Sequence, residues 1–126
     1  MNAADEDRKS GSRGTVRGRC LCGAIEVEFK YPAFWAWHDH SEASRVAHGA
    51  AYATYVGCWR KNVRIAKGKR NLRRFEDDKT GSVRTFCARC GTPVQYERRP
   101  TSRMVDLPRS EEHTSELQSR GLISYA

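Results

Sequence analysis

Four cysteines form two close pairs that lie far apart in the sequence. The pairs, each followed by a glycine, are Cys20 with Cys22 (CxC) and Cys87 with Cys90 (CxxC). Structural zinc takes four such ligands in a tetrahedron, and a CxxC turn before glycine commonly aims two thiolates at one ion. The spacing therefore predicts one structural zinc ion that joins two distant hairpins, so that metal binding supplies folding free energy.

A redox role for the CxxC pair and disulfide bonding are the alternatives. A redox cysteine usually precedes a helix, whereas Cys87 ends a β-type run and Gly91-Thr92-Pro93 follows the pair. Five cysteines are an odd number, and the polar start of the chain lacks the apolar segment of a secretory signal, which disfavours disulfides. Cys58 has no cysteine neighbour and is interpreted as a small hydrophobe or a thiol without a metal.

The composition predicts one small, charged domain. The chain has 126 residues, 30% of them charged, and a formal net charge of +8. A modest core is expected from this length, so a metal ion would supplement limited apolar burial. No apolar run approaches the roughly 20 residues that cross a bilayer, and a cytoplasmic protein is therefore expected.

Short β-type segments separated by turn residues follow one another along the chain. In residues 24–30, Ile25, Val27 and Phe29 alternate with charged residues, as in a strand with one face turned inward. Residues 77–82 (DDKTGS) predict a hairpin turn, and residues 41–47 a short helical turn. The pattern favours a mainly β, small antiparallel domain. Its further predicted strands are 51–57, 63–66, 72–76, 83–86 and 94–97.

Three regions of different character are predicted. Residues 1–14 are polar, without aliphatic periodicity, and are interpreted as a disordered tail. Residues 15–108 form the zinc-binding domain. Residues 109–119 read RSEEHTSELQS, which resembles the in-frame translation of a common sequencing-adapter read. Residues 109–126 are therefore interpreted as an artefactual tail that replaces the native sequence beyond Pro108.

Three motifs in this order resemble one enzyme family. GRCLCGAIEVEF, SRVAHGAAYATYVG and FCARCGTPVQYERR are similar to segments of the glutathione-dependent formaldehyde-activating (GFA) family, which includes the centromere protein V group. The resemblance implies a zinc-bearing antiparallel β fold of the Mss4-like type, with the four paired cysteines as the structural site. It also implies a carbon–sulfur lyase acting on glutathione–formaldehyde adducts or related thiol adducts.

The second metal motif of that family has lost its thiols in this chain. Family members carry Cys-His-Cys-x-x-Cys shortly before an Ala-His-Gly segment. The three cysteine positions are here Asp39, Ser41 and Ser44, and His40 keeps the histidine position. Serine stays protonated at neutral pH and is a poor zinc ligand. Since the family's second zinc is associated with glutathione binding and chemistry at the adduct, activity is expected to be altered or lost, and no catalytic residue is assigned.

Two other uses of this segment remain open. A histidine and carboxylate set could hold catalytic zinc or iron, but on an extended segment Asp39 points away from its neighbouring histidines. A metal-free pocket for a small thiol ligand or an anion is favoured, although core packing is the simpler interpretation of the aromatic residues. The residues of the metal alternative are His38, Asp39, His40 and His48. Those of the pocket are Phe34, Trp35, Trp37, His40, Arg45 and His48.

A non-catalytic binding module is the competing function. A basic surface could contact the phosphates of nucleic acid, although a solvated face is the simpler interpretation. Zinc with four thiolates carries a charge of −2, which reduces the net charge to about +6 and weakens the case for an acidic partner. Nucleic acid is therefore the less favoured partner, and no membrane partner is expected. The basic residues are Arg60, Lys61, Arg64, Lys67, Lys69, Arg70, Arg73 and Arg74.

Overall fold

A computed structural model describes residues 14–30, 35–108 and 124–125 of the chain. Over these ranges the protein is mainly β, as the alternating pattern predicts. One α-helix, α1 (Glu42–His48), lies within the described ranges. The strands are β1 (Thr15–Arg19), β2 (Glu26–Lys30), β3 (Trp35–Asp39), β4 (Ala53–Trp59), β5 (Val63–Lys67), β6 (Leu72–Asp77), β7 (Ser82–Cys87), β8 (Pro93–Glu97), β9 (Met104–Pro108) and β10 (Ser124–Tyr125).

The described strands form two sheets. The smaller sheet has the order β1-β2-β5, and the larger sheet has the order β10-β3-β4-β9-β8-β7-β6. Neighbouring strands are antiparallel except for β10, which runs parallel to β3. Alternation in β2 has the predicted effect, because Phe29 is buried whereas Glu28 reaches Arg17 at 3.2 Å and Arg64 at 2.7 Å on the other face.

Each predicted β segment corresponds to one observed strand, with ends that differ by at most two residues. The turn at residues 77–82 joins β6 to β7, and the helical turn begins one residue later than predicted. The strands β1, β3, β9 and β10 were not among the predicted segments. β3 and β9 each bury an aspartate, Asp39 and Asp106, so their sequences lack a simple alternation of apolar and polar residues.

Three buried clusters hold the sheets in place. The largest contains Phe29, Val56, Cys58, Val105 and Leu107. The second contains Cys20, Ile25, Cys87 and Val94, so two of the paired cysteines are themselves part of the buried core. The third contains Ala53, Tyr55 and Tyr96. One cysteine of each pair is therefore packed in the apolar core, and Cys58 is buried in a different cluster.

Several predictions fall on residues outside the described ranges. These are the tail at residues 1–14 except for Gly14, most of the segment 109–126, and Phe34. The domain boundaries stay predictions. Within the described ranges, no helix is long and apolar enough to cross a membrane.

Candidate metal centre and neighbouring cavity

The CxC pair lies on a tight turn that follows β1. Gly23 has φ +79°, in the left-handed region that favours glycine, and its N–H donates to the carbonyl of Cys20 at 3.0 Å. The N–H of Ile25 donates to Cys20 Sγ at 3.3 Å. A hydrogen bond of this kind favours the ionised thiol, so the turn prepares Cys20 to act as a thiolate ligand.

The CxxC pair lies on the turn between β7 and β8 and uses the same devices. Gly91 has φ +78°, and its N–H donates to the carbonyl of Cys87 at 2.8 Å. The N–H of Arg89 donates to Cys87 Sγ at 3.3 Å. Each cysteine pair therefore has at least one member whose sulfur accepts a backbone hydrogen bond.

Thr92 joins the two turns through its hydroxyl group. Its Oγ1 accepts the N–H of Leu21 at 3.0 Å and lies 3.1 Å from Cys90 Sγ. The two cysteine pairs are far apart in the sequence, and this single side chain fixes one turn against the other.

The four sulfur atoms converge as the sequence predicts. All four lie within 4.8 Å of one another, with Cys20 Sγ 3.6 Å from Cys22 Sγ and Cys22 Sγ 3.9 Å from Cys87 Sγ. A tetrahedron with zinc–sulfur bonds near 2.3 Å has edges of about 3.8 Å. A disulfide requires about 2.05 Å. The spacing therefore suits four thiolates around one metal ion, and an all-thiolate set selects a soft metal such as zinc or iron.

The pKa values of the two more exposed thiols, Cys22 and Cys90, are shifted in opposite directions. Hydrogen bonds from the side chain and backbone of Thr92 lower the pKa of Cys90 to about 5. The N–H of Ala24 favours ionisation of Cys22, but burial and competition with the other three thiols raise the pKa of Cys22 to about 11. The thiols thus cannot all ionise by themselves, and a divalent cation would displace the remaining protons.

Hydrogen bonds join Asp39, Ser41 and Ser44, the three residues at the positions of the second set of cysteines in the family that the sequence resembles. Ser44 Oγ donates to Asp39 Oδ2 at 2.7 Å, and the N–H of Ser41 donates to Asp39 Oδ1 at 2.9 Å. Ser41 Oγ also accepts the N–H of Ser44, which caps the start of α1. Burial opposes ionisation of Asp39, but these bonds outweigh it and lower its pKa.

Three residues that the sequence analysis did not connect complete this network. Arg84 donates from Nη1 to the Tyr55 hydroxyl and from Nη2 to Ser44 Oγ, both at 3.0 Å. His48 Nε2 lies 3.0 Å from the same Tyr55 hydroxyl. Burial, and next the charge of Arg84, lower the pKa of His48. We call Asp39, Ser44, Tyr55, Arg84 and His48 the polar network.

The polar network does not fit a second metal ion. Serine and tyrosine hydroxyls and a guanidinium occupy the positions around Asp39, and none of them is a good zinc ligand at neutral pH. His38 and His40 instead pack against the ring of Tyr52, with centroid distances of 4.7 and 5.1 Å, and His38 Nδ1 lies 3.0 Å from Thr54 Oγ1. The four paired cysteines are the sole group of metal-binding side chains found in the described ranges.

A cavity of about 440 Å³ lies between the cysteine turns and the polar network. Arg19 and Cys20 line one side, and His48, Tyr52 and Thr54 line another. Val94 and Leu107 contribute apolar wall. The volume lies within the range of small-molecule sites, and the mixed lining suits a ligand with few polar groups.

Of the predicted pocket residues that lie in the described ranges, His48 alone lines this cavity. Trp37 instead donates from Nε1 to Asp106 at 3.1 Å and packs against Tyr55. Arg45 donates to the backbone carbonyl of His40. Trp35 packs against the largest core cluster, as the simpler interpretation of the aromatic residues expected.

Comparison with known proteins gives one family and one fold. The model of a family described as glutathione-dependent formaldehyde-activating enzyme matches residues 15–117. No curated protein matches the sequence. Among solved structures, a crystal structure of a Rhodobacter sphaeroides protein is similar, with a TM-score of 0.62 and 17% sequence identity over 88% of this chain and 100% of that chain. At that identity the likeness supports the fold alone. The family match extends past Pro108, and the interpretation of residues 109–126 as artefactual stays a prediction.

Proposed function

The chain belongs to the glutathione-dependent formaldehyde-activating enzyme family, and from that membership we propose that it is a zinc-stabilised carbon–sulfur lyase of altered chemistry. It makes or breaks the bond between a thiol and an aldehyde carbon, and glutathione–formaldehyde is the reference adduct. The observation that carries the proposal is the cavity of about 440 Å³, which lies between the cysteine turns and the polar network.

The metal in this proposal is one zinc ion with a structural role. The sulfur separations of 3.6 and 3.9 Å support four-coordinate zinc. Four protein thiolates fill the tetrahedron, so no coordination position remains for a substrate. The ion would fasten the two turns, and the reaction would depend on side chains in the cavity.

The cavity offers groups of the right kind for a thiol adduct. Val94 and Leu107 can cover the carbon and sulfur atoms, while Arg19 can pair with a carboxylate of a glutathione-like thiol. Arg45, which was predicted as a pocket residue, does not line the cavity. The substrate is proposed to bind between Arg19 at the end of β1 and His48 at the end of α1.

Filling the cavity tests this function. Ala50 is exposed and lines the cavity, whereas the neighbouring Ala51 is exposed and does not. With zinc-replete protein, turnover of the glutathione–formaldehyde adduct is expected above the uncatalysed rate. Ala50→Trp is expected to raise KM or abolish turnover, and Ala51→Trp to leave both parameters unchanged. Wild-type protein without turnover above background would overturn the proposal.

Nucleic-acid binding is a second candidate function, because the structure contains a basic groove. A groove of about 590 Å³ beside Cys22 is lined by Lys67 at the end of β5, by Lys69 and Arg70 of the β5–β6 connection and by Arg89 of the CxxC turn. Other members of the predicted basic surface are engaged by acidic residues. These ion pairs are Arg60 with Glu97 at 3.0 Å, Arg64 with Glu28 at 2.7 Å and Arg74 with Glu76 at 3.5 Å.

Salt dependence separates this candidate from the lyase. Phosphate contacts release counterions, so the logarithm of the affinity should fall linearly with the logarithm of salt concentration, by a slope of roughly 0.7 per contact for single strands. Lys69→Glu with Arg70→Glu is expected to reduce both the affinity and that slope, while Lys79→Glu in the exposed β6–β7 turn should not. Affinity that stays constant between low and moderate salt would exclude the candidate.

A further inference from the structure

His48 connects the cavity with the polar network. It is the last residue of α1 and lines the cavity of about 440 Å³, while its Nε2 contacts the Tyr55 hydroxyl at 3.0 Å. Its Nδ1 has no hydrogen-bond partner among the described residues. One ring nitrogen is therefore used for positioning, and the other remains for exchange with a ligand.

The direction of the hydrogen bonds follows from counting donors, beginning with Ser44. A hydroxyl has one hydrogen and two acceptor positions, and Ser44 donates its hydrogen to Asp39. Arg84 has donors and no acceptor, so its bond to Ser44 Oγ fills one acceptor position. The remaining contact of Ser44 Oγ, at 3.1 Å from the Tyr55 hydroxyl, is thus satisfied when Tyr55 is the donor.

The same count fixes the tautomer of His48. Tyr55 gives its single hydrogen to Ser44 and accepts one bond from Arg84 Nη1. Its last acceptor position faces His48 Nε2, which must then carry the hydrogen. The opposite assignment would leave two oxygen atoms 3.1 Å apart with no hydrogen between them. Each contact is satisfied by one chain of donation, from His48 through Tyr55 and Ser44 to the carboxylate of Asp39.

We propose that His48 is the catalytic base of the cavity and that Tyr55, Ser44, Asp39 and Arg84 are its positioning residues. This inference rests on the proposed function and names its proton acceptor. The chain of donation holds Nε2 protonated, so the lone pair on Nδ1 is available to a bound adduct. Arg84 supplies a permanent positive charge at the positions where family members have the second set of metal ligands.

The proton transfer requires no metal and no redox partner. In a thiol–aldehyde adduct, Nδ1 takes the hydroxyl proton, and the electron pair of the O–H bond forms the carbonyl. The carbon–sulfur bond breaks, and sulfur leaves with its electron pair as a thiolate. The imidazolium then returns the proton to the thiolate, so that an aldehyde and a thiol are released. Nothing is oxidised or reduced, and the reverse sequence forms the adduct.

The charges around His48 favour its neutral form. Arg84 on β7 opposes protonation, and Asp39 on β3 favours it more weakly. Tyr55 on β4 makes a neutral contact with Nε2, and Arg19, Cys20 and Tyr52 line the same cavity. Burial, and next the charge of Arg84, lower the pKa of His48, which suits a base that must accept a proton near neutral pH.

Nitrogen-detected NMR of the zinc-loaded full chain tests the positioning directly. We expect His48 of the wild type to be a single tautomer with hydrogen on Nε2 at neutral pH. Tyr55→Phe, which keeps the ring, and Asp39→Asn should each convert it to a mixture of tautomers. A hydrogen on Nδ1 in the wild type, or a tautomer ratio that neither substitution changes, would overturn the inference.

Kinetics with the glutathione–formaldehyde adduct test the proton transfer. We expect His48→Gln to lower kcat by about 100-fold or more with little change in KM. Lys79→Gln, in the exposed β6–β7 turn, is the control with unchanged kcat. Zinc content and circular dichroism would confirm that each variant is folded. The wild-type kcat should rise with pH to a plateau as His48 loses its proton.

The outcomes distinguish the inference from the proposed function. A wild type that turns over the adduct with a His48→Gln variant of equal kcat overturns the inference and leaves the lyase function standing. A wild type without turnover overturns the lyase function together with the proton transfer. In that case, the tautomer measurement still decides whether the polar network positions His48.

Discussion

The hydroxyl group of Thr92 links the two cysteine turns. Thr92→Val keeps the shape of the side chain and removes the oxygen that contacts Leu21 and Cys90. We expect the pKa of Cys90 to rise from about 5, because the first cause of its low value is lost. Loss of the Leu21 bond should cost about 1 kcal/mol of stability.

Alkylation of the metal-free thiols as a function of pH measures the first effect of Thr92→Val, and urea unfolding measures the second. Thr101→Val, in an exposed loop, serves as the control. An unchanged alkylation profile would show that Thr92 does not govern the ionisation of Cys90.

The cysteines differ in what their removal should do. Cys90→Ser removes one ligand of the proposed zinc site, so the zinc content should fall below one ion per chain and the melting temperature should fall with it. Cys58→Ala instead opens a small gap in the largest core cluster, which contains none of the paired cysteines. It should lower stability while the zinc content stays near one. Elemental analysis with thermal unfolding separates these results, and a content near two in the wild type would contradict the single-zinc proposal.

Individual residues also show where sequence reasoning reached its limit. The paired cysteines were predictable because each pair is local and a glycine follows it. Arg84 was not predictable, because its partners Ser44 and Tyr55 come from other elements and are brought together by the order of strands in the large sheet. A basic residue within a hairpin strand carries no signal of that role.

The turn between β5 and β6 is an element whose geometry can be tested by one methyl group. Gly68 has φ +78°, and a Cβ there would overlap the backbone carbonyl of Ala24, next to the CxC turn. Gly81 has φ +75°, and a Cβ there would meet open space. Gly81→Ala should therefore cost roughly 1–2 kcal/mol for its backbone conformation alone.

Gly68→Ala should cost distinctly more than Gly81→Ala, because the backbone at Ala24 must also move. Chemical unfolding of the two variants gives both free energies, and zinc content reports whether the CxC turn is displaced. Equal losses of unfolding free energy in the two variants would show that the β5–β6 turn is not in close steric contact with the CxC turn.

His48 at the end of α1 and Asp39 at the end of β3 should make the stability of the protein depend on pH. The pKa of His48 in the folded protein lies below the ordinary value of 6.5. Below pH 6.5, His48 therefore binds a proton more readily in the unfolded chain than in the folded protein. The contribution of neutral His48 to the free energy of unfolding is complete above pH 6.5 and is lost as the pH falls through the folded pKa. Folding also lowers the pKa of Asp39 from its ordinary value of 3.8, so the contribution of its carboxylate to stability is likewise lost as the pH falls below 3.8.

Urea unfolding of zinc-loaded protein at pH 7 and pH 5 measures this dependence. The free energy of unfolding should decrease less in His48→Gln than in the wild type, since loss of zinc at low pH affects both proteins alike. A decrease of equal size in the two would contradict the depressed pKa of His48.

Strands with a regular pattern were predicted more completely than strands with buried acids. β2 alternates cleanly and the β6–β7 hairpin has a strong turn, so both follow from local rules. β3 and β9 do not, because each buries an aspartate. Asp106 accepts a hydrogen bond from Trp37 of β3, and Asp39 accepts hydrogen bonds from Ser41 and Ser44, which follow it in the chain. Their burial is a property of the assembled sheet.

At the scale of the whole molecule, a metal ion at the cysteine site should hold the two sheets together. The CxC turn follows β1 of the small sheet, and the CxxC turn lies between two strands of the large sheet. Removal of metal by a chelator should therefore abolish a single cooperative unfolding transition and expose the core between the sheets. Thermal unfolding with a dye for exposed apolar surface measures this. An unchanged transition after complete metal removal would contradict the role of the ion.

The sequence of β6 also affects how copies of the protein behave at high concentration. This strand ends the order of the large sheet, and it places Arg73 and Arg74 beside Phe75, which is 57% exposed. Among the described residues no further strand pairs with this border, and an exposed aromatic residue there invites a strand from another molecule, whereas charged side chains on the border would have to give up hydration before such a strand could pair. The arginines of β6 thus discourage fibrillar self-association at the border where the sheet could otherwise grow.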